Sequence, residues 1–451
     1  MPTTYFLLID GIAGDSAIPG FEGWFDLDAF SLGQSHSGTT HFGANGGAGR
    51  LNVQDLSVSL SGNAGLTSLL NSTSMGSHID AIQIVGISSN DQAIVYELTL
   101  NDIMTTSVSE ESAQNNVPIL DVTFNFGQFG LVTTTQNQDG SLGGQQSYGY
   151  DTTTNEVIDP ATLDEPTPSR AVLASNPTTY YLLIDGIAGD STDEGYEGWF
   201  KLDAFNLGQS QSGTTHTGPG DGAGRVDIQD LSVELSGNTG LADFLNGSAT
   251  GIYLDALQIE GVTRRDATVY QLTLNDILVT SVNETTEPNG ASSLDVAFNF
   301  SQIGLVTTGQ NPDGSPASPG TEQSYGWNLV DNTYLDPATL DAPTSLPAFG
   351  NSAPTTYFLS IDGIAGDSTA RGFEGWFELD GFNLGQSQAA TTHTGAGAVS
   401  VRDLSIALSG NAGLTSLLNS TSLGAHIEAI QIVGISGNDQ AIVYELTLND
   451  I

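Results

Sequence analysis

The sequence predicts a mainly β fold: tandem antiparallel β-barrel or two-sheet modules, each carrying one short α-helix. Three observations predict it. The stretch from Pro2 to Ser16 returns almost unchanged at Pro177 to Ser191 and at Pro354 to Ser368, so the chain of 451 residues repeats with periods of 175 and then 177 residues. Periods of about 20 to 50 residues belong to solenoids, whereas about 150 to 180 residues is the size of a domain with its own core. Within each copy apolar residues alternate with polar ones, the spacing of a half-buried strand. Helical spacing occurs convincingly only once per copy.

The elements follow in order. A first strand over residues 5–9 is closed by Asp10-Gly11, and a second runs over 23–32 with Trp24 and the acids Asp26 and Asp28. Residues 34–49, rich in Gly, Ser, Thr and Asn, read as a long polar loop, which inside a compact domain is functional or disordered. Alternation resumes over 51–60, with Gln54-Asp55 interrupting it as a bulge does. Asn63 is the expected cap of a short helix with Leu66, Leu69 and Leu70 on one face and Gly76 as its stop. Strands are expected at 79–87, 93–103, 120–126 and 129–134, then a turn at 137–140 and a last edge at 147–150. Seven or eight strands with one helix make an antiparallel sandwich or barrel.

The expected organisation is module 1 at 1–150, a linker at 151–176, module 2 at 177–327, a linker at 328–353 and an incomplete module 3 at 354–451. Both linkers carry Asp-Pro-Ala-Thr-Leu-Asp, at 159–164 and 336–341. A recurring motif implies docking in a fixed place, since a free tether needs only composition. Reach alone leaves side-by-side and stacked modules both open. The third copy ends at Ile451, aligned with Ile103 and Ile277, without counterparts of residues 279–327. The expectation is a longer array, with strands supplied by another chain as the alternative. Residues 61–103 and 409–451 differ only at Met75/Leu423, Ser77/Ala425, Asp80/Glu428 and Ser89/Gly437.

Composition excludes several functions. The formal net charge of −44 reflects 52 acids against seven arginines and the single lysine Lys201. Nucleic acid is not an expected partner, because phosphate binding rests on clustered Lys and Arg. An anionic membrane surface is disfavoured for the same reason. Surplus negative charge instead keeps particles apart in solution. With no cysteine, neither disulfides nor thiolate metal sites are available. The start lacks a basic n-region and no apolar run approaches the length of a membrane span, so neither a Sec signal nor membrane insertion is expected.

Chemistry is sparse. His41, His216 and His393 recur in Thr-Thr-His of the polar loop without recurring ligand partners, so packing or interface histidines are expected. Asp10 with Asp15, Asp185 with Asp190 and Asp362 with Asp367 raise calcium through Asp-Gly-x-x-Gly-Asp. That spacing is not an EF-hand loop, and turn chemistry accounts for Asp-Gly. Asp26 and Asp28 read as solvated, not as a catalytic pair. No catalytic, cofactor-binding or metal residue is assigned, no cofactor is expected, and the chain does not read as an enzyme.

Six stretches in fixed order carry a resemblance: the opening Tyr-Phe-Leu-Leu-Ile-Asp-Gly-Ile-Ala-Gly-Asp-Ser, Glu22-Gly23-Trp24-Phe25, Gly49-Arg50-Leu51-Asn52-Val53-Gln54-Asp55-Leu56-Ser57, the short helix with His78-Ile79, Tyr96-Glu97-Leu98-Thr99-Leu100-Asn101-Asp102-Ile103, and Tyr325-Gly326-Trp327. Together they resemble Hcp, the tube protein of the type VI secretion system. The resemblance implies a β-barrel of two sheets with a flanking helix, hexameric rings and stacking into a hollow tube. It also implies that the polar loops, 34–49, 209–224 and 386–398, reach a neighbouring ring or subunit. Covalent fusion of modules raises their effective concentration. The expected function is therefore a secreted, self-assembling structural protein whose partner is itself, building an extracellular filament or tube and leaving the cell without a visible Sec signal. A type VI tube component or exported effector carrier is one alternative, and a multivalent adhesin array is another.

Overall fold

The computed structural model describes residues 3–36, 51–89, 93–137, 141–168, 178–213, 224–287, 291–311, 315–317, 322–346, 355–388, 398–408, 412–424, 426–437 and 441–451. In the first module the strands are β1 (Thr3–Ile9), β2 (Phe25–Ser31), β3 (Gln34–His36), β4 (Leu51–Val53), β5 (Leu56–Ser61), β6 (His78–Ser88), β7 (Ile94–Ala113), β8 (Ile119–Gln136), β9 (Leu142–Asp151) and β10 (Glu156–Val157), with α1 (Leu66–Met75) between β5 and β6. Antiparallel pairings β1–β2, β2–β5, β5–β8, β8–β7, β7–β6 and β6–β1 close a six-stranded barrel. Closure leaves the barrel itself no free edge. Alternation along these strands sends Leu7, Ile9, Leu56, Val58, Leu60, Ile82, Ile84, Leu98, Leu100, Leu120, Val122 and Phe124 inward.

The second module repeats this with β11 (Thr179–Ile184), β12 (Phe200–Gln211), β13 (Val226–Ile228), β14 (Leu231–Ser236), α2 (Leu241–Thr250), β15 (Leu254–Val262), β16 (Thr268–Thr286), β17 (Ser292–Asn299), β18 (Gln302–Thr308), β19 (Glu322–Asn328) and β20 (Thr333–Tyr334). The third contributes β21 (Thr355–Ile361), β22 (Phe377–Gln388), β23 (Val399–Val401), β24 (Ser405–Leu408), α3 (Leu414–Leu423), β25 (Ala429–Ser436) and β26 (Ile442–Asn449). Its strands form an open run in the order β24–β22–β21–β25–β26.

Four expectations are corrected. Asn63 does not cap the helix: Gly65, in the left-handed region at φ 71°, holds the N-cap position without a side-chain bond, and the Asn63 side chain is turned to Glu110. The strand expected to stop at residue 103 continues to Ala113. The strands expected at 120–126 and 129–134 are one strand in the first module and two in the second. Gln34, expected to open a loop, lies in β3, and its counterpart Gln209 lies inside β12.

The glycines of the repeated opening serve close packing. A Cβ on Gly14, Gly189 or Gly366 would overlap the backbone of Trp24, Trp199 or Trp376. At each site two short backbone bonds hold the turn to the tryptophan strand; Gly14 N donates to Gly23 O and Ser16 N to Trp24 O, both at 2.8 Å. The Asp-Pro-Ala-Thr-Leu-Asp motifs form single 3-10 turns, Pro160–Thr162 and Pro337–Thr339, capped by Asp159 and Asp336. Each lies on the module before it. Asp164 N donates to Asn101 Oδ1 at 2.9 Å and Asp341 N to Asn275 Oδ1 at 3.0 Å, and Gly130 and Gly149 leave room for Pro160 and Leu163.

Candidate assembly interface

The geometry that stands out is the joint between successive modules. Asp102 and Asp276 sit at φ 56° and 53° within β7 and β16. Aspartate is among the few side chains that tolerate this left-handed conformation, and one such residue bends a strand. Beyond the bend the second half of each long strand stays paired with its own barrel on one side, β7 with β8 and β16 with β17, and offers its other side to the next module. Ser107 to Ala113 of β7 pairs antiparallel with Ser210 to Ala204 of β12, and Ser281 to Thr285 of β16 pairs with Ser387 to Asn383 of β22. The modules therefore lie side by side, and one hydrogen-bonded ladder runs through 24 strands of all three.

Side chains complete each joint. Gln209 Nε2 donates to the carbonyl of Leu70 at 3.0 Å and to Ser74 Oγ at 2.9 Å, both on α1, while Tyr325 OH donates to Gln209 Oε1 at 2.5 Å. Gln386 repeats the contact with the carbonyl of Leu245 at 3.0 Å and Ser248 Oγ at 2.6 Å. Gln211 and Gln388 donate to the carbonyls of Thr105 and Val279, at 2.9 and 2.8 Å. Thr67 and Asn71 tie α1 to Gln323 and Ser324 of β19. Beneath the ladder an aromatic triad recurs in every module: Tyr5, Phe30 and Tyr96; Tyr180, Phe205 and Tyr270; Tyr357, Phe382 and Tyr444. The preceding module buries Phe205 and Phe382, whereas Phe30 is half-buried. The apolar core is continuous from the first barrel into the second.

A carboxyl lies against each of the two covered triads. Glu110 and Glu284 are 1% and 0% exposed, and Tyr270 OH and Tyr444 OH donate to their Oε2 atoms at 2.9 Å. Burial pushes both carboxyls up to about 7, even though hydrogen bonds pull the other way, from Tyr270, Ser112 and Asn63 to Glu110 and from Tyr444 and Asn238 to Glu284. The outward face of the same ladder is polar and acidic. Glu234 stands directly opposite Asp295, and burial together with the charges of Asp295 and Asp203 raises its carboxyl.

The residues singled out from sequence fall elsewhere. His41, His216 and His393 lie outside the described residues. Asp10 Oδ1 accepts from Thr167 N at 2.9 Å and Asp185 Oδ1 from Thr344 N at 3.2 Å, so these aspartates hold the segments leading to the next module. Asp190 accepts from Thr239. Among the described residues no group of three or more His, Asp or Glu is placed to hold a metal ion. Asp28 and Asp203 stand at the register shift of β2 and β12 and accept from Ser61 and Ser236. Asp26 is half-buried. The joint residues Gln209, Gln386, Glu110 and Glu284 were not singled out. Their signal was recurrence: Leu-Gly-Gln-Ser in each copy, and Ser-Val followed two residues later by Glu in the first two.

A family model described as "Type VI secretion system effector, Hcp" matches residues 6–131, 181–306 and 358–451. The chain belongs to the Hcp family. It carries three Hcp modules in tandem, and the six-stranded barrel with extra strands and a short helix is the fold the resemblance implied. Among solved structures, a type six secretion system protein aligns at 16% identity over 35% of this chain and 100% of its own, with a TM-score of 0.32. Hcp1 from Salmonella typhimurium aligns at 22% identity over 35% and 100%, with a TM-score of 0.29. A type VI secretion system effector from Yersinia pestis aligns at 19% identity over 33% and 98%, with a TM-score of 0.27. No curated protein matches. Among the described residues no helix is long and apolar enough to cross a membrane.

Proposed function

We propose that this chain is a structural, non-enzymatic protein whose fused Hcp modules build the wall of a secreted tube or filament. One observation carries the reading: the same strand-to-strand joint is made twice in succession, head to tail. A contact between unlike surfaces repeats by its nature, and it closes into a ring or continues as a filament according to its rotation. In the first module the surface that receives a partner in the other two, Phe30, Leu32, Gln34 and Tyr96, is half-buried or exposed. Fusion makes each joint intramolecular, which raises the effective concentration of one module at the next and favours a lasting assembly. The repeated type VI family match supports a second reading, a component of a type VI tube.

Native material imaged by negative stain is the test. Rings, tubes or filaments whose wall spacing matches one barrel support the proposal, and separate, unassembled chains at high concentration reject it. A hollow lumen with stacked rings favours the type VI component, and a solid fibre favours the filament.

A further inference from the structure

We propose that each joint between modules is an acid lock: Glu110 and Glu284 hold successive barrels together as neutral carboxylic acids, and loss of their protons opens the ladder between β7 and β12 and between β16 and β22. The proposal concerns joints inside the chain, so it stands whether or not chains assemble further.

The placement is the first argument. Glu110 lies opposite Leu120 of its own barrel on one side and Leu207 of the next module on the other. Glu284 lies likewise between Leu294 and Leu384. In the run Val108, Glu110, Ser112 every second side chain is buried, while Glu111 between them is exposed. The carboxyls therefore occupy positions that alternation reserves for apolar side chains, at the seam and not on the wet face.

The surroundings are the second. The groups facing Glu110 are Tyr270 from β16, Tyr180 from β11, Ser112 from its own strand and Asn63 from the segment before α1. Those facing Glu284 are Tyr444 from β26, Tyr357 from β21 and Asn238. All are neutral. The ion pairs among the described residues are His78–Asp102 and Lys201–Asp193, both elsewhere, so no base balances either carboxyl. A buried carboxylate without a cation is costly, whereas the acid both donates and accepts and so satisfies neighbours of either kind.

The direction with pH follows. Burial pushes both carboxyls up to about 7 from an ordinary value near 4.5. A group raised on folding binds its proton more tightly in the closed joint, so its contribution is fully present below the ordinary value and is lost as pH rises through about 7. Acid closes the joints and alkali loosens them, while the strands paired only within one barrel keep their protection.

The test is hydrogen exchange of the full chain at about pH 5 and about pH 8, corrected for intrinsic exchange, following residues 107–113, 204–210, 281–285 and 383–387 against the barrel strands. The expected result is at least a tenfold loss of protection in these four segments at the higher pH, with β1, β6 and their counterparts unchanged. Glu110→Gln keeps a neutral hydrogen-bonding side chain, so it should abolish the pH response of the first joint only, with the second as internal control; Glu284→Gln should do the reverse. Tyr270→Phe removes a donor that favours the charged form and should move opening of the first joint to higher pH. Equal protection of the wild type at both pH values overturns the proposal. So does a Glu110→Gln chain, folded by circular dichroism, whose first joint still opens with pH; if that chain does not fold, an unmoved opening in Tyr270→Phe overturns it instead.

Discussion

Gln209 Nε2 donates to the carbonyl of Leu70 at 3.0 Å, and 177 residues later Gln386 Nε2 donates to the carbonyl of Leu245 at the same 3.0 Å. Each glutamine belongs to one module and each leucine to the helix of the module before it, so a single pair repeated twice sets both the neighbour and the register. Replacing Gln209 by Leu removes one partner each from buried Tyr325 and Ser74, whose hydroxyls keep only the 2.9 Å bond between them, so one hydroxyl proton is left without an acceptor. Unsatisfied buried polar groups cost about 1–3 kcal/mol each. The expected outcome is a first joint weakened by that order, with the second unaffected, read as hydrogen-exchange protection of residues 204–210 against 383–387.

Gly189 to Ala is expected to be among the most damaging small substitutions in the chain. The added methyl overlaps the backbone of Trp199, which cannot rotate aside as a side chain could. A loss of about 2–3 kcal/mol is expected, the upper part of the range for overpacking a rigid site. Chemical denaturation checks it; a change under about 1 kcal/mol would contradict the close-packing account of the repeated opening and revive a ligand role for it.

Phe298 is fully buried and packs edge-on against Phe244 at 6.0 Å. Phe298→Ala should cost about 3–5 kcal/mol. Because the core of the first two modules is continuous and that of the third is a separate cluster, calorimetry should show two transitions. The substitution should lower only the larger one. A shift of both, or a single merged transition, would contradict the division of the core.

Asp151 gives the opposite pH signature to the joint glutamates. Burial raises its carboxyl, but bonds from Thr153 Oγ1 at 2.6 Å, Thr154 N at 2.9 Å, Gln128 Nε2 at 2.8 Å and Thr153 N at 2.8 Å outweigh this and hold it at about 2. A carboxyl lowered on folding contributes above its ordinary value near 4 and loses that contribution as pH falls through about 2. Asp151→Asn, which module 2 already carries as Asn328, should flatten the acid limb of stability below about pH 4 and lower stability at neutrality, where the contribution of the ionised carboxyl is fully present.

The barrel was legible because its inward positions are apolar at period two: Leu98, Leu100, Val122 and Phe124 announce their strands. The joint was not, for a physical reason. The strand that makes it buries Glu110 and Ser112 and fell outside every expected strand, and the receiving strand buries Gln209 and Gln211 and read as polar loop. The bend at Asp102 hid the continuation as well, because a left-handed residue resembles a strand end. Asn63 had the chemistry of a cap but faces Glu110 instead. Recurrence was the one signal available at the joint, and it marks Gln34, Gln209 and Gln386 alike.

The most direct measurement of the central claim, that successive modules share one ladder through one repeated joint, is cryo-electron microscopy of single chains. The account predicts class averages in which the barrels sit at a fixed mutual angle, the first-to-second and second-to-third rotations being equal within error. Barrels at variable angles, or two joints with different rotations, would contradict it.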